Sequence, residues 1–358
     1  MLSLNKELSI KIKNNKEDWS KEIKEYHYQM EKGLKDKYND KQDQHFLEDI
    51  RYHLNYLAEA ISLNSLSLFK NYINWTKVFF ENTDISVEGL KSNLKYTKEV
   101  LEKKLDEKEV KLINKYIDNG LEIIAKDSIK PKTHLREENP QYSLAIEYFE
   151  YLQDCDRKKA SELILNAVED GVEIKDIYLN VFQPVQREIG RLWQLNKVSV
   201  AKEHYSTSVT QLIMSQLYSY ILSPEKNSYK AITTCVGDEL HELGIRMIAD
   251  LLEMDGWDTV HLGANMPAQS IVEEIIEEDG DLLAISVTMT SNLSKATHLI
   301  EEVRKNPESK NIKIMVGGYP FNINEELWKE VGADGYAPDL DKASAVANQL
   351  VKKGGSIN

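Results

Sequence analysis

Val236-Gly-Asp-Glu-Leu-His-Glu-Leu-Gly244 is the stretch that decides the fold. An apolar run, Ala231 to Val236, leads into it, and a helical pattern from about Glu242 to Met254 leads out. Strand, polar turn and helix make the first half of a βα unit. The turn sets His241 at the carboxyl edge of a parallel sheet, where open α/β folds bind ligands. Imidazole is a common neutral ligand for transition metals. Glu239, two residues earlier, is placed to reach the other ring nitrogen and fix the tautomer. Gly244, three residues later, leaves room for a bulky group against the first helical turn. A lone histidine in such a loop also fits a solvated or capping role.

Two further strand ends carry small or hydroxyl residues. Leu282 to Val287 runs into Ser286-Val-Thr-Met-Thr290, and Ile312 to Val316 runs into Gly317-Gly318-Tyr319. The motifs are spaced by one or two βα units each, so their small side chains would open a slot down one side of the sheet. Strands expected over 229–236, 258–262, 282–287, 312–316 and 334–337, with helices between them, predict a five-stranded, doubly wound parallel sheet of flavodoxin-like order.

The order E-x-H-x-x-G, S-x-T, G-G closely resembles the cobalamin-binding domain of the methionine synthase and corrinoid-protein class, over about Lys230 to Lys353. The resemblance implies that His241 is the lower cobalt ligand, in place of the cofactor's own nucleotide base. It implies that Ser286, Thr288, Gly317 and Gly318, with Tyr319 beside them, line the groove for the nucleotide tail. Many relatives have Asp where Glu239 stands.

Bulk properties bound the class. A chain of 358 residues is long enough for two or three domains, and 41% hydrophobic content suffices for ordinary cores. A net charge of −14 argues against a nucleic-acid or anionic-membrane surface. Cys155 and Cys235 lie far apart without metal-type spacing, which fits a reducing compartment. Apolar runs are too short to span a membrane, and Leu2 to Asp18 is too polar for a signal peptide. The chain reads as cytoplasmic and soluble.

The sequence predicts an α plus α/β multidomain protein. Residues 1–130 read as a helical bundle, since no Pro precedes Pro131. Phe46 to Ile61 places Phe46, Ile50, His53, Leu54, Leu57 and Ile61 on one face. Leu66 to Phe80, Val87 to Leu101 and Glu109 to Ile124 repeat the pattern. The first thirty-odd residues, the most polar, read as a loosely attached helix. The aromatic pattern of Arg51 to Ala60 and Leu68 to Trp75 looks like the sensor domain of the photocobilin group, which holds biliverdin beside cobalamin. That resemblance implies a bilin contact through His53 and Tyr56. The same aromatics also fit a plain helical core with its polar tips in water.

Residues 131–140 read as an exposed linker, and 141–224 as a four-helix module whose third helix breaks near Pro184. A short polar linker, Ser223-Pro224 to Ser228, leads to the α/β domain, 229–358. The join between the third and fourth helices reads Trp193-Gln-Leu-Asn-Lys-Val-Ser-Val-Ala-Lys-Glu203-His204. Trp-x9-Glu-His resembles the adenosylcobalamin photoreceptors, which implies that Trp193, Val200, Glu203 and His204 shield the adenosyl group on the upper corrin face. In the best-known members the residue after the Trp is often His; here it is Gln194, which ligates cobalt poorly.

The expectation is therefore a non-enzymatic photoreceptor holding adenosylcobalamin between helical module and sheet, base-off and His-on. Light-driven Co–C cleavage would change domain or subunit contacts, with biliverdin as a second chromophore. Its signal would leave through homo-oligomerisation or a separate partner. The alternative is a corrinoid methyl-carrier protein of a methyltransferase system, and a cobalamin storage protein is a third reading.

Overall fold

The computed structural model describes residues 3–221 and 225–354, so the linker residues Ser223 and Pro224 lie outside the described residues. The chain forms two compact units, Met1–Lys130 and Pro131–Asn358.

The first unit is helical throughout: α1 (Leu4–Met30), the short α2 (Leu34–Lys37), α3 (Asp40–Ser62), α4 (Leu66–Glu81), α5 (Val87–Glu102) and α6 (Glu107–Ala125). Capping boxes start two of them. Asn39 and Gln42 exchange side-chain and backbone hydrogen bonds at α3, as Asp106 and Glu109 do at α6. The first helix is not loosely attached. Leu8, Ile12, Trp19, Ile23 and His27 of α1 are buried, and α1 packs along the length of α3. Its apolar stripe is narrow and its other faces are rich in Lys and Glu, so average polarity hides it.

The second unit opens with 131–140, which is more than an exposed linker. The Glu188 carboxylate accepts hydrogen bonds from the His134 N–H (2.9 Å) and the Thr133 hydroxyl (3.1 Å). The Asn139 amide donates to the Asn180 carbonyl at 2.6 Å. Four elements follow: α7 (Tyr142–Gln153), α8 (Arg157–Glu169), a third helix and α11 (Val200–Ile221). The third helix begins as α9 (Ile174–Asp176), widens into a π-helical segment (Ile177–Phe182), and resumes as α10 (Gln183–Gln194). The break is thus upstream of Pro184, which sits in the opening turn of α10 where its missing N–H costs little.

The sheet contains β1 (Lys230–Val236), β2 (Asp258–Met266), β3 (Leu282–Ser286), β4 (Lys313–Gly317) and β5 (Gly335–Ala337). All pairs are parallel, and the strand order β2-β1-β3-β4-β5 is the flavodoxin-like order. Between the strands run α12 (Leu243–Met254), α13 (Ala268–Glu277), a 3-10 turn (Thr290–Asn292) leading to α14 (Leu293–Lys305), α15 (Tyr319–Ile323) and α16 (Leu327–Val331), with α17 (Leu340–Gly354) last. Helices α12 and α17 pair on one face of the sheet, α13 and α14 on the other. Strand β1 is central and buried from Ala231 to Val236, as a continuous apolar run requires. Because β1 lies between β2 and β3, the chain reverses direction across the sheet there, and a crevice opens at their carboxyl ends. Strand β2 runs past its expected end through Gly263 (φ +79°), with register slips against β1. The helical module and sheet share a core, in which Tyr178, Phe182, Ile213 and Leu217 pack with Met247 and Leu251 of α12.

Candidate functional site

The loop between β1 and α12 holds His241 at that crevice, and several bonds fix it. The Asp238 N–H donates to Asn265 Oδ1 at 2.8 Å, and the Asn265 N–H donates to the Glu239 carbonyl at 3.1 Å. The extension of β2 is therefore what pins the loop. Lys295 of α14 pairs with Asp238 from the other side.

Glu239 is fully buried, and both carboxylate oxygens are used. Oε1 lies 2.5 Å from His241 Nδ1 and accepts the His241 N–H at 3.2 Å. Oε2 accepts the backbone N–H groups of Thr288 (3.0 Å) and Met289 (2.9 Å) and the side-chain amide of Asn292 (3.2 Å). Burial alone would raise the carboxyl pKa, but the bonds from His241, Met289 and Asn292 outweigh it and bring it down to about 2. An ionised carboxylate cannot donate, so the proton between the two residues sits on Nδ1. His241 in turn is pushed up by the Glu239 hydrogen bond, against its own burial. Its side chain is 53% exposed, and with the proton on Nδ1 the lone pair is left on Nε2. Beside it, a Cβ added at Gly244 would meet nothing within 4 Å, which is the open space the sequence predicts.

At the carboxyl edge, Ser286 and Gly317 fall in one row with two further residues. Cys235, Ser286, Gly317 and Ala337 stand opposite one another across four adjacent strands. In a parallel sheet such a row shares one face, and Cys235 and Ala337 pack with Ile245 of α12 and Ala343 of α17. Cys235 and Ala337 are visible only once the register is known. Burial pushes the Cys235 thiol up, so it serves as a small apolar filler. Thr288 acts through its backbone N–H on Glu239. Gly318 has a different role from an open lining: with φ +107°, an added Cβ would lie 2.0 Å from the Val287 carbonyl oxygen. Close backbone approach within the sheet excludes any other residue there. Tyr319, at the start of α15, is 47% exposed.

Most of the remaining expected residues lie in the helical module. Val200 is 55% exposed at the start of α11, and Trp193 is half-buried near the end of α10. Glu203 binds His204 Nδ1 at 2.6 Å, and its negative charge helps raise the His241 pKa, so the two lie within electrostatic reach. His204 itself is largely exposed, whereas Gln194 is buried. The structure thus brings Glu203 toward the Glu239–His241–Thr288 cluster from the module above. His53 and Tyr56 belong to the first unit and are occupied by its own core. His53 Nδ1 bonds the Tyr72 hydroxyl at 2.6 Å, and Tyr56 stacks on the Tyr72 ring at 3.8 Å.

Comparison with known proteins fits this geometry. Residues 229–344 match a family model described as B12 binding domain, and residues 144–218 match a second model of the same description. The chain carries B12-binding domains. Among its relatives is a corrinoid protein of Desulfitobacterium hafniense, 23% identical over 216 residues, covering 59% of this chain and 99% of the relative. Another is monomethylamine corrinoid protein 1 of Methanosarcina acetivorans, 25% identical over 203 residues, covering 54% of this chain and 90% of the relative. The solved monomethylamine corrinoid protein of Methanosarcina barkeri shares the fold, with a TM-score of 0.53 and 22% identity over 59% of this chain and 99% of that one.

These relatives overturn the photoreceptor expectation. They are corrinoid proteins, and the methyl-carrier alternative fits them better than light-driven signalling. Cobalamin or corrinoid binding stands, whereas nothing in the comparisons supports biliverdin. Among the described residues no helix is long and apolar enough to cross a membrane.

Proposed function

We propose that the chain is a corrinoid methyl carrier that works with a methyltransferase, rather than a complete enzyme by itself. The observation that carries this reading is a half-exposed imidazole, held at Nδ1 by a buried carboxylate, at the switch point of a B12-binding domain. Among the described residues no three His, Cys, Asp or Glu side chains are grouped to hold a metal ion. One imidazole suits a metal whose other ligands come with its macrocycle.

In this reading His241 would be the protein's ligand to cobalt through Nε2, with Glu239 holding the ring at Nδ1. Gly244 would leave space for the macrocycle, and Ser286 and Gly317, with Thr288, Gly318 and Tyr319 near them, would receive the nucleotide tail. Trp193, Val200, Glu203 and His204 would cover the bound group on the side of the helical module. Cobalamin held there would supply a cobalt centre able to carry a one-carbon group between a donor and an acceptor, in place of the photochemistry that the sequence suggested.

The test loads the full chain with methylcobalamin and adds a corrinoid-dependent methyltransferase and a thiol acceptor. Demethylation faster than that of free methylcobalamin, and lost in His241→Ala, supports the carrier. A rate no faster than the free cofactor's sinks it.

A further inference from the structure

The helical module meets α12 through apolar side chains, with a buried polar pair among them. The Tyr178 hydroxyl donates to Asp250 Oδ2 at 2.7 Å; Tyr178 is fully buried and Asp250 is 8% exposed. Around them pack Phe182, Met247 and Leu251. Tyr178 lies in the π-helical segment, a feature often found where a helix carries a special task. Other bonds join this module to α12 and its N-cap nearer to solvent: Gln211 donates to Glu242 (2.9 Å), Arg246 to Ser215 (2.8 Å) and Tyr218 to Glu253 (3.5 Å). An isolated hydrogen bond inside an apolar interface adds little net stability, but it permits only one seating, because any shift leaves a buried carboxylate unpaired. Helix α12 begins directly after the His241 loop, so this seating also sets how α10 and α11 stand over that loop.

We infer that Tyr178 and Asp250 are a positioning pair that seats the helical module over the His241 face and governs how readily that face opens. The inference rests on the corrinoid-carrier reading, since a carrier must uncover its upper face to an acceptor held by another protein. The pair touches neither cofactor nor acceptor and acts through the module's position.

The experiment loads the full chain with hydroxocobalamin and follows cyanide substitution by absorbance, with cofactor retention checked by gel filtration. Tyr178→Phe speeds substitution by about tenfold, the rate equivalent of one lost buried hydrogen bond, with retention unchanged. Asp250→Asn, which keeps an acceptor for the tyrosine hydroxyl, stays near the parent rate. The double variant Tyr178→Phe with Asp250→Leu leaves no unpaired group, so it folds where Tyr178→Phe fails, and it remains fast. An unchanged rate in both Tyr178 variants, or an equal rise in Asp250→Asn, overturns the pair's role. If cyanide substitution follows the expected pattern while the methyl-transfer assay fails, the positioning pair stands and the carrier reading falls.

Discussion

Two histidines show what separates the helical first unit from the edge of the sheet. His27 is buried to 1% exposure among Phe46 and Tyr96, neither ring nitrogen has a hydrogen-bond partner, and burial drives its pKa down to about 4. His241 stands half in solvent, one nitrogen is held by an ionised carboxylate, and that bond raises its pKa. The first is a neutral aromatic filler; the second is oriented, with a lone pair to offer. Residue type alone cannot tell them apart. Burial and the fate of the second nitrogen can.

The largest effect expected of a single substitution falls on the sheet edge. Gly318→Ala forces a Cβ into the Val287 carbonyl at a left-handed φ and should cost the second unit on the order of 3 kcal/mol or more. Denaturant unfolding measures this, and an unchanged midpoint would show that the edge is more yielding than the geometry implies.

Acid should unfold the first unit instead. His27 and His53 both have pKa values near 4 in the fold, for burial in each case, against an ordinary value of 6.5. Their stability is intact above about pH 6.5 and is lost as pH falls toward 4, by roughly 3 kcal/mol for each histidine. Asp49, raised to about 6 by burial, offsets part of this between about pH 6 and 4. Thermal melts at pH 7 and pH 4.5 check the sign, and a bundle that melts higher at pH 4.5 would refute it.

Glu239→Gln removes the charge but keeps an acceptor, and should weaken retention of cobalamin about 10- to 100-fold by equilibrium dialysis. Smallest is His27→Phe. With no hydrogen bond to lose, it should shift stability at pH 7 by about 1 kcal/mol or less and flatten the acid limb. A loss of several kcal/mol would mean that the ring nitrogens matter.

Much of the second unit was legible in the sequence because strand ends, turn residues and glycines are local signals. The β1 and β3 ends and His241 with its carboxylate follow from short stretches, whereas the need for Gly318 comes from the approach of Val287 in the fold. What stayed hidden depends on long-range register. Asn292 reaches Glu239 only after a turn beyond β3, and Cys235 and Ala337 join Ser286 only across paired strands. The α1 stripe was masked by its charged faces, and the π segment by an ordinary helical period. Residues 193–204 fall inside the stretch that matches a B12-binding model, but the photoreceptor chemistry that the Trp193 to His204 spacing suggests is not what the relatives carry.

The most direct test is electron paramagnetic resonance of the full chain loaded with cob(II)alamin, grown with natural and with nitrogen-15 histidine. Coordination by His241 Nε2 predicts a three-line nitrogen splitting on the cobalt signal that becomes two lines with the labelled protein and disappears in His241→Ala. A three-line pattern that survives both the label and the substitution would mean that the cofactor keeps its own base, and that His241 does not hold cobalt.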